Sequence, residues 1–340
     1  MAKLRYLIVG SGWRSLFYVR IAQALPERFE ACAMLCRTPE KAAQMQRYGV
    51  HATCSLDECL ALRPDLVVVA VNKASLSAVS REWLARGYSV LCETPAALSE
   101  EDLRGLWELH LQGAKLQIAE QYALYPTLSA QLAAVRAGLL GTPAFARLSV
   151  AHGYHAASLA RLFLNAGQQA VRVSGRAWPV QIIETDSRWG KIAHGPLVEK
   201  VLQRHTLEFA GGGVAFLDFC NVQYHSDLRT VHINIQGERG ELDGHTLRYL
   251  GADAVPVCRA LDVQPRFAGR GLTEDETAIA CLLDGMEAYS SGGPEVYPLA
   301  DALQDAYISL LMDRALQSPG QVVESRRQPW NGETGDFVPF

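Results

Sequence analysis

Two glycines near the beginning of the chain have the spacing of a dinucleotide-binding loop. A short apolar stretch, residues 6–9, is followed directly by Gly10-Ser11-Gly12-Trp13-Arg14-Ser15. In such loops the first glycine permits a tight turn, and the second lets the backbone approach a pyrophosphate at the N-terminus of the next helix. Ser15 stands where the third glycine is usual and is still small. We therefore expect the first five residues of this run to bind a dinucleotide, with an ordinary tight turn as the alternative.

The residues after the second apolar stretch indicate which dinucleotide binds. A chain that binds NAD usually carries an acid there, about 20 residues further on, which accepts hydrogen bonds from the ribose 2′-hydroxyl. Here the stretch ends in Cys36-Arg37-Thr38, without an acid. Arg37 and Thr38, with Arg14 nearby, could instead hold a 2′-phosphate, because a guanidinium binds phosphate through two parallel hydrogen bonds. We expect NADP as the cofactor, with NAD as the alternative; the competing interpretation is that Arg37 is a solvated loop residue.

The elements that must position these residues alternate regularly in the first third of the chain. Short apolar runs at residues 6–9, 31–35, 66–70 and 89–92 have the composition of fully buried parallel strands. Helical periodicity lies between and after them, at residues 15–24, 39–48, 75–86 and 100–112. Strands separated by helices form right-handed βαβ units. The sequence therefore predicts an α/β fold that begins with a Rossmann-type, doubly wound parallel sheet over residues 1–122.

After residue 122 the pattern changes to that of a second α/β domain, residues 123–340. Residues 126–138 and 158–164 have helical character, and residues 144–150 alternate as a strand does. Further strand-like runs follow at residues 171–177, 205–209, 214–220, 230–236 and 241–242, and two helices, residues 273–290 and 300–316, come last. Such spacing with glycine-rich turns predicts a mostly antiparallel sheet. Residues 184–195 show no periodicity, and we expect a surface loop there.

The composition narrows the classes of partner. The chain of 340 residues is 49% hydrophobic and 20% charged, with a formal net charge of −4. The sequence contains no block of basic residues that would suggest nucleic acid as a partner. Its apolar runs are far shorter than the roughly 20 residues of a membrane span. The 8 cysteines form no C-x-x-C pair. They are typical of reduced thiols, and with no signal-peptide pattern at residue 1 they predict a cytoplasmic protein.

Four segments together resemble a known family. Residues 87–102, GYSVLCETPAALSEED, resemble the block G-x-x-V-x-x-E-K-P-x-A-x-[ST]-x-E-E of the glucose–fructose oxidoreductase/inositol dehydrogenase (Gfo/Idh/MocA) family. Residues 64–71 resemble the family's strand ahead of its nicotinamide loop, 135–143 its step into the second domain, and 237–242 a turn of its large sheet. Their order and spacing agree from about residue 4 to residue 323.

The resemblance implies a fold and a reaction. It implies a Rossmann domain followed by an α/β domain whose large open sheet mainly serves oligomerisation, so that a homodimer or homotetramer is expected. It also implies hydride transfer between a nicotinamide and, most often, a sugar or polyol carbon of a small-molecule substrate held between the domains.

The family's Glu-Lys-Pro motif is altered in this chain. It maps to Glu93-Thr94-Pro95, so that threonine stands where the family has its catalytic lysine. Thr94 has a neutral hydroxyl that can hydrogen-bond a substrate but is a poor acid or base near pH 7. In the family the proline commonly follows a cis peptide. We expect Glu93 and Pro95 to contact the cofactor and Thr94 to contact the substrate.

A second landmark of the family is an Asp-x-x-x-His pair at the start of a helix. The nearest match is AHGYH at residues 151–155, where His155 falls on the histidine and Ala151 on the aspartate. The acid usually found three residues later is Ser158. Because a histidine can exchange protons near neutral pH, His155 could serve as the general acid or base; capping or packing of the helix is the alternative. His152 and His155 could share a metal, but no third ligand is in view, so we expect none.

Two further side chains are candidates for the chemistry. Lys73 follows Val71 and Asn72 in the segment that resembles the family's nicotinamide-contacting loop, and it could reach the reacting centre or simply be solvated. Val71 and Asn72 are expected to contact the cofactor. Tyr122, close to Glu120, ends the last Rossmann segment and could donate a proton; a core aromatic is the competing interpretation.

Taken together, the residues predict an NADP-dependent oxidoreductase. It would transfer a hydride between the nicotinamide and a small carbonyl, hydroxyl (sugar-like) or imine substrate, and an imine would relax the need for the missing lysine. The alternative is a non-catalytic NAD(P)-binding sensor, regulator or scaffold, because binding needs the glycine loop but not the acid–base residues. A third reading is different chemistry on this scaffold, such as transient oxidation followed by elimination.

Overall fold

The computed structural model describes residues 3–332 and 338–340. In chain order the elements are β1 (Leu4–Val9), α1 (Ser15–Ala24), β2 (Phe29–Leu35), α2 (Pro39–Gln46), β3 (Ala52–Thr53), α3 (Leu56–Ala61), β4 (Leu66–Val69), α4 (Leu76–Ala85), β5 (Ser89–Cys92), α5 (Glu100–Leu111), β6 (Leu116–Ile118), α6 (Pro126–Arg136), β7 (Pro143–Ser149), α7 (Gly153–Phe163), β8 (Val171–Ile183), β9 (Asp186–Ser187), β10 (Gly190–Lys191), β11 (Leu197–Phe209), β12 (Val214–Cys220), β13 (His232–Gly237), β14 (Gly240–Asp243), β15 (Thr246–Leu250), β16 (Pro256–Ala260), α8 (Glu274–Ser290), α9 (Leu299–Gln317) and β17 (Val323–Glu324). Single 3₁₀ turns lie at Lys73–Ser75, Tyr122–Leu124 and Asn221–His225.

The chain divides into two compact units. The first contains Met1–Leu128 and Gln264–Ala306, and the second contains Ser129–Val263 and Tyr307–Phe340. Helix α8 therefore packs with the first unit although it comes late in the chain. The boundary after residue 122 remains a prediction about where the cofactor-binding sequence ends.

The first unit contains the predicted Rossmann sheet. Its six strands are parallel, in the order β3-β2-β1-β4-β5-β6. The central strands are mostly apolar because helices cover both faces of a doubly wound sheet, and Leu7, Ile8, Val67 and Val68 are completely buried. The edge strands β3 and β6 escaped the sequence analysis because two and three residues are too short for a periodic signal.

Some helices of this unit, among them α5 and α8, begin at side-chain caps. Ser99 accepts a hydrogen bond from the backbone N–H of Asp102, and Glu100, Glu101 and Asp102 complement the positive end of α5. Helix α8 begins with a reciprocal pair in which Thr273 and Glu276 bond to each other's backbone N–H. The predicted starts of α5 and α8, residues 100 and 273, agree with the structure to within one residue.

The second unit contains the predicted large, mostly antiparallel sheet. Its nine strands run in the order β16-β15-β14-β13-β7-β12-β11-β8-β17, and only β7 and β12 pair in parallel. Strands β8 and β11 are much longer than predicted and pair along their whole length, from Val171↔Phe209 to Ile183↔Leu197. Many residues of the extension are solvent-exposed on both faces, so the alternation that marks a half-buried strand is lost there. The predicted loop 184–195 is mostly exposed and contains only the two-residue strands β9 and β10.

Helix α7 starts earlier than the sequence suggested. It begins at Gly153, whose φ is +52°, rather than at residue 158. A side chain at this position would be strained, and its Cβ would lie 3.0 Å from the Ser309 Oγ. The early start matters because it places residues 152–155 at the N-terminus of the helix. Among the described residues, no helix is long and apolar enough to cross a membrane.

Candidate functional site

The glycine loop turns from β1 into α1 at the carboxyl end of the sheet. Gly10 has a φ of +121°, and a Cβ there would lie 2.3 Å from the Ala70 carbonyl oxygen, so only glycine fits. A Cβ on Gly12 would meet nothing within 4 Å, which leaves open space beside the start of the helix. Ser15 is completely buried, which explains why this position must stay small. The open space at this helix N-terminus is compatible with the pyrophosphate site that the sequence predicts.

The next strand brings Cys36 and Arg37 to the same end of the sheet. Cys36 is buried, and burial raises the pKa of its thiol, although a hydrogen bond with Ser11 opposes the shift. This contact joins the glycine loop to the end of β2. Thr38 caps α2 by accepting a hydrogen bond from the Lys41 backbone N–H at 3.3 Å. Arg37 is exposed and has no ion pair among the residues that the structure describes, so its charge is available to a ligand.

Arg14 lies against carboxylates. Its Nε donates to the Glu93 Oε1 at 2.8 Å, and its Nη1 is 3.4 Å from the Asp275 Oδ1. The guanidinium also lies over the Phe17 ring, 5.0 Å from its centre. Burial alone would lower the pKa of Arg14, but the negative charge of Glu93, together with Tyr18 and Asp275, outweighs it and raises the pKa. Because two carboxylates already balance its charge, Arg14 is a weaker candidate for a 2′-phosphate than Arg37 is.

Glu93 is fixed at the carboxyl end of β5. It is buried and accepts hydrogen bonds from Arg14 and, at 2.6 Å, from the Tyr18 hydroxyl. Burial and the charge of Glu93 raise the pKa of Tyr18 well above its ordinary value, so that the phenol remains a donor. The next peptide bond, between Thr94 and Pro95, is cis, as the resemblance implied, and both residues are half-buried. The altered motif therefore begins at a glutamate that two hydrogen bonds hold in place.

The segment after β6 contributes polar groups at the same edge, because β4, β5 and β6 run in parallel. The backbone N–H of Tyr122 donates to the Glu120 Oε1 at 2.9 Å, and the buried Tyr122 ring lies 5.1 Å from that of Tyr125. Tyr125 donates to Asp275, and burial together with that carboxylate raises its pKa.

Gln121 was not singled out from the sequence. Its side chain is 3% exposed, and within the described ranges its Oε1 has no hydrogen-bond partner. A buried, unpaired amide oxygen costs about 1–3 kcal/mol, which a ligand that donates to it would recover. Gln121, Tyr125 and Asp275 carry no motif, so only the folded chain reveals them.

Lys73 follows the carboxyl end of β4. Asn72 and Lys73 are exposed and Val71 is half-buried, and the Asn72 Oδ1 accepts a hydrogen bond from the Ser75 Oγ at 3.2 Å. Lys73 makes no ion pair in the described part of the chain. Its position remains compatible with either a cofactor contact or a solvated lysine.

In the second unit, His155 lies on the first turn of α7. It is half-buried, and its ring meets the edge of Tyr154 with the ring centres 5.4 Å apart. Ala151 and Ser158, at the positions of the family's acids, are both buried. His152 is the N-cap residue, but its side chain does not cap the helix. Among the described residues, no group of three or more His, Cys, Asp or Glu is placed to hold a metal ion.

A parallel sheet with a glycine loop between its first strand and helix defines a dinucleotide-binding protein of the Rossmann type. Residues 4–120 match the model of the Gfo/Idh/MocA family, described as an oxidoreductase family with an NAD-binding Rossmann fold. Over these residues the chain is similar to the cofactor-binding domain of that family of oxidoreductases.

Solved structures resemble the whole chain. An oxidoreductase from Agrobacterium radiobacter in complex with NAD+, L-tartaric acid and magnesium is 18% identical, with a TM-score of 0.73 over 95% of this chain and 98% of that one. An NAD-binding oxidoreductase from Klebsiella pneumoniae is 15% identical, with a TM-score of 0.74 over 96% and 100%. A levoglucosan dehydrogenase in complex with NADH and levoglucosan is 16% identical, with a TM-score of 0.74 over 96% and 100%. At such identities the likeness shows the fold. No curated protein sequence matches this chain.

Proposed function

We propose that the protein is an NADP-dependent oxidoreductase that transfers a hydride between the nicotinamide and a small carbonyl, hydroxyl or imine substrate. The observation that carries the proposal is the open space beside Gly12 at the N-terminus of α1. A Cβ there would meet nothing in the protein, so no contact within the chain requires a glycine, and its place between β1 and α1 is where a pyrophosphate would approach the backbone. Glu93 and Gln121, at the carboxyl edge of the same sheet, support a cofactor that extends along it.

The preference for NADP rests on Arg37. The end of β2 carries no carboxylate for a ribose 2′-hydroxyl, while Arg37 is exposed and without an ion pair within the described residues. A guanidinium in that place would bind a 2′-phosphate through charge-assisted hydrogen bonds. The backbone N–H of Thr38 would donate a further hydrogen bond to the phosphate, since the hydroxyl of this residue already caps α2. Ser11 and Cys36 would line the adenosine ribose.

At the nicotinamide end, the protein supplies orientation. The bound cofactor provides the hydride acceptor or donor. Gln121 would accept a hydrogen bond from the nicotinamide carboxamide, which gives its buried oxygen a partner. Glu93 and Pro95 would support the ring, with Val71 and Asn72 beside it, and Glu93 is held for this by Arg14 and Tyr18.

Proton transfer falls to His155. An imidazole exchanges protons near neutral pH, whereas the Thr94 hydroxyl can only hydrogen-bond. With Ala151 in place of an aspartate, no carboxylate from that position would orient the imidazole. An imine substrate suits such a site, because its nitrogen can already carry the proton. Tyr122 and Lys73 are further candidates for positioning the substrate or donating to it.

The substrate class is proposed from the structural neighbours and from the chemistry. One neighbour is named for levoglucosan and another was solved with L-tartaric acid, both polyhydroxylated. A sugar-like carbonyl or hydroxyl compound is therefore the first class to examine, followed by cyclic imines.

A second candidate function is a non-catalytic NAD(P)-binding sensor or regulator. It is favoured by the buried, uncharged side chains at Ala151 and Ser158, which leave His155 without the acids of the family pattern. Such a protein would bind the dinucleotide as tightly as the enzyme but turn over no substrate.

The first experiment is a titration of the purified protein with NADPH and NADH, followed by nicotinamide fluorescence. We expect NADPH to bind at least about tenfold more tightly, which corresponds to about 1.4 kcal/mol. The Gln121→Leu variant should bind both nucleotides more weakly, while its urea unfolding midpoint stays the same. If neither nucleotide binds, the enzyme proposal fails.

Turnover then separates the two candidates. Levoglucosan, L-tartrate and a panel of carbonyl and imine compounds are offered with NADP+ or NADPH, and absorbance of the reduced nicotinamide is followed. We expect turnover of at least one compound and its loss by at least about a hundredfold in His155→Ala, as for a general acid or base. Turnover that survives in His155→Ala would remove His155 from the chemistry; nucleotide binding without any turnover would favour the sensor.

A further inference from the structure

Two cysteines of the first unit lie opposite each other at the ends of neighbouring strands. Strands β2 and β3 pair in parallel, with Leu35 opposite Thr53. One residue further on, the backbone N–H of Cys36 donates to the Thr53 carbonyl oxygen at 2.8 Å. In a parallel ladder a residue donates to the carbonyl group that precedes its partner in the sequence. This hydrogen bond therefore places Cys36 opposite Cys54.

A pair in this register can form a disulfide. Neighbouring strands lie about 4.7–4.9 Å apart, and the Cα atoms of a disulfide are usually about 4.4–6.8 Å apart. Side chains at paired positions of adjacent strands also point to the same face of the sheet. Cys54 belongs to the bend between β3 and α3, so closing the bond requires no rearrangement of a helix or strand.

The two thiols differ in their access to solvent. Cys54 is exposed, whereas Cys36 is only 4% exposed. Burial raises the pKa of the Cys36 thiol, the hydrogen bond with Ser11 opposes this shift, and a negative charge on Cys54 adds to it, so the two sulfurs lie within electrostatic range of each other. A dissolved oxidant meets Cys54 first and leaves Cys36 as the second, resolving thiol. An accessible thiol beside a resolving thiol is typical of redox-sensitive sites.

We propose that Cys36 and Cys54 form a reversible redox modification site whose oxidant is hydrogen peroxide or another small peroxide. The Cys54 sulfur attacks a peroxide oxygen, and the O–O bond breaks to give a sulfenic acid and one water molecule. The Cys36 sulfur then displaces the sulfenic hydroxyl, which takes up the Cys36 proton and leaves as a second water molecule. The two thiols lose two electrons to the peroxide, and an external thiol can return them by exchange.

The disulfide would change the proposed cofactor site. Cys36 makes a hydrogen bond with Ser11 of the glycine loop and is followed directly by Arg37. Bond formation draws the Cys36 sulfur towards Cys54 and removes its proton, which weakens the contact with Ser11. The backbone that leads into Arg37 shifts with it. This consequence rests on the proposed function: we expect the oxidised protein to bind NADPH more weakly.

The test treats the reduced full-length protein with hydrogen peroxide, blocks the remaining thiols and maps disulfides by mass spectrometry of peptides. We expect the protein to lose the mass of two hydrogen atoms, a linked peptide pair that contains Cys36 and Cys54, and recovery of both thiols with dithiothreitol. Cys54→Ser should abolish the link. Cys258→Ser changes another exposed cysteine, on β16, and is the matched control that should keep it.

The same samples are titrated with NADPH and followed by nicotinamide fluorescence. We expect oxidation to raise the Kd for NADPH by at least about tenfold in the original chain and in Cys258→Ser. Dithiothreitol should restore the original Kd. In Cys54→Ser the Kd should be the same before and after peroxide, which ties the effect to the disulfide rather than to oxidation elsewhere.

Each contrary outcome overturns a separate point. Linkage of either cysteine to another partner, such as the buried Cys59, overturns the modification site, as does oxidation of Cys54 to a sulfinic acid without any link. A Cys36–Cys54 disulfide that leaves the Kd for NADPH unchanged overturns the effect on the cofactor. If the reduced protein binds neither NADPH nor NADH, the proposed function fails, while the peptide map still decides whether the disulfide forms.

Discussion

Arg14 and Glu93 lie 79 residues apart in the sequence and 2.8 Å apart in space, Nε to Oε1. The arginine belongs to the glycine loop that would hold the pyrophosphate, and the glutamate begins the loop that would lie beneath the nicotinamide. The ion pair therefore ties the glycine loop to the loop that follows β5. Its side chains are only 19% and 9% exposed, so water screens the pair weakly.

This pair predicts a specific loss of stability. Glu93→Gln leaves the Arg14 charge with a weaker partner in a largely buried place, and we expect the free energy of unfolding to fall by about 1–3 kcal/mol. The control is Glu30→Gln, which removes the partner of Arg5 in a pair that is 34% and 43% exposed. That change should cost less than about 1 kcal/mol. Urea unfolding measures the free energy of unfolding of both variants. Equal losses would show that the buried Arg14–Glu93 pair stabilises the protein no more than the exposed pair does.

Alanine should affect a different property at each glycine of the loop: stability at Gly10 and nucleotide binding at Gly12. Gly10→Ala forces a Cβ to within 2.3 Å of the Ala70 carbonyl oxygen at a φ of +121°, so we expect a loss of at least about 2 kcal/mol of stability. In Gly12→Ala the new methyl group meets nothing within 4 Å, and stability should stay within about 0.5 kcal/mol. NADPH binding should nevertheless weaken by at least about tenfold. Thermal unfolding and nucleotide titration of both variants check this, and normal NADPH affinity in Gly12→Ala would contradict the pyrophosphate site.

Arg37 should decide the choice of nucleotide. Arg37→Ala removes the charge proposed for the 2′-phosphate, so the Kd for NADPH should rise by about 10- to 100-fold while that for NADH stays the same. Arg47, exposed at the end of α2, provides the control Arg47→Ala, which should alter neither. Equal weakening of NADPH and NADH in Arg37→Ala would mean that the residue does not contact the phosphate.

His205 should make the protein less stable in mild acid. It is 4% exposed on β11, and burial lowers the pKa of its imidazole from 6.5 to about 4, despite a hydrogen bond to the Met312 backbone that opposes the shift. Its Nε2 has no hydrogen-bond partner within the described residues. Since the unfolded chain binds the proton more readily, this contribution to stability is complete above pH 6.5 and is lost as the pH falls towards about 4.

At pH 5 the loss should amount to about 2 kcal/mol. Urea unfolding at pH 7.5 and pH 5 measures it, and His205→Gln, which does not titrate, should reduce the difference between the two pH values by that amount. A variant with the same acid sensitivity as the original chain would assign the effect to other groups.

Much of the fold could be predicted because its signals are local. The strands of the parallel sheet are mostly short apolar runs, and α2 and α5 begin at residues whose types suit a helix start. The glycine loop was recognisable because Gly10 and Gly12 act through the backbone, whose requirements depend on neighbouring residues. The cis bond before Pro95 followed from the resemblance of one motif.

What the sequence by itself determined, then, is the alternation of the longer strands and helices, the two kinds of sheet and the glycine loop, since each follows from periodicity or from the backbone conformation of a few adjacent residues. Only the tertiary structure decided which side chains contact each other. It paired Arg14 with Glu93 and Asp275, buried the oxygen of Gln121 and brought Tyr224 to His152 across 72 positions of the chain. These contacts depend on which strands lie side by side and on which side chains then face each other. No local pattern encodes them, because the free energy that selects them comes from burial and pairing of groups distant in sequence.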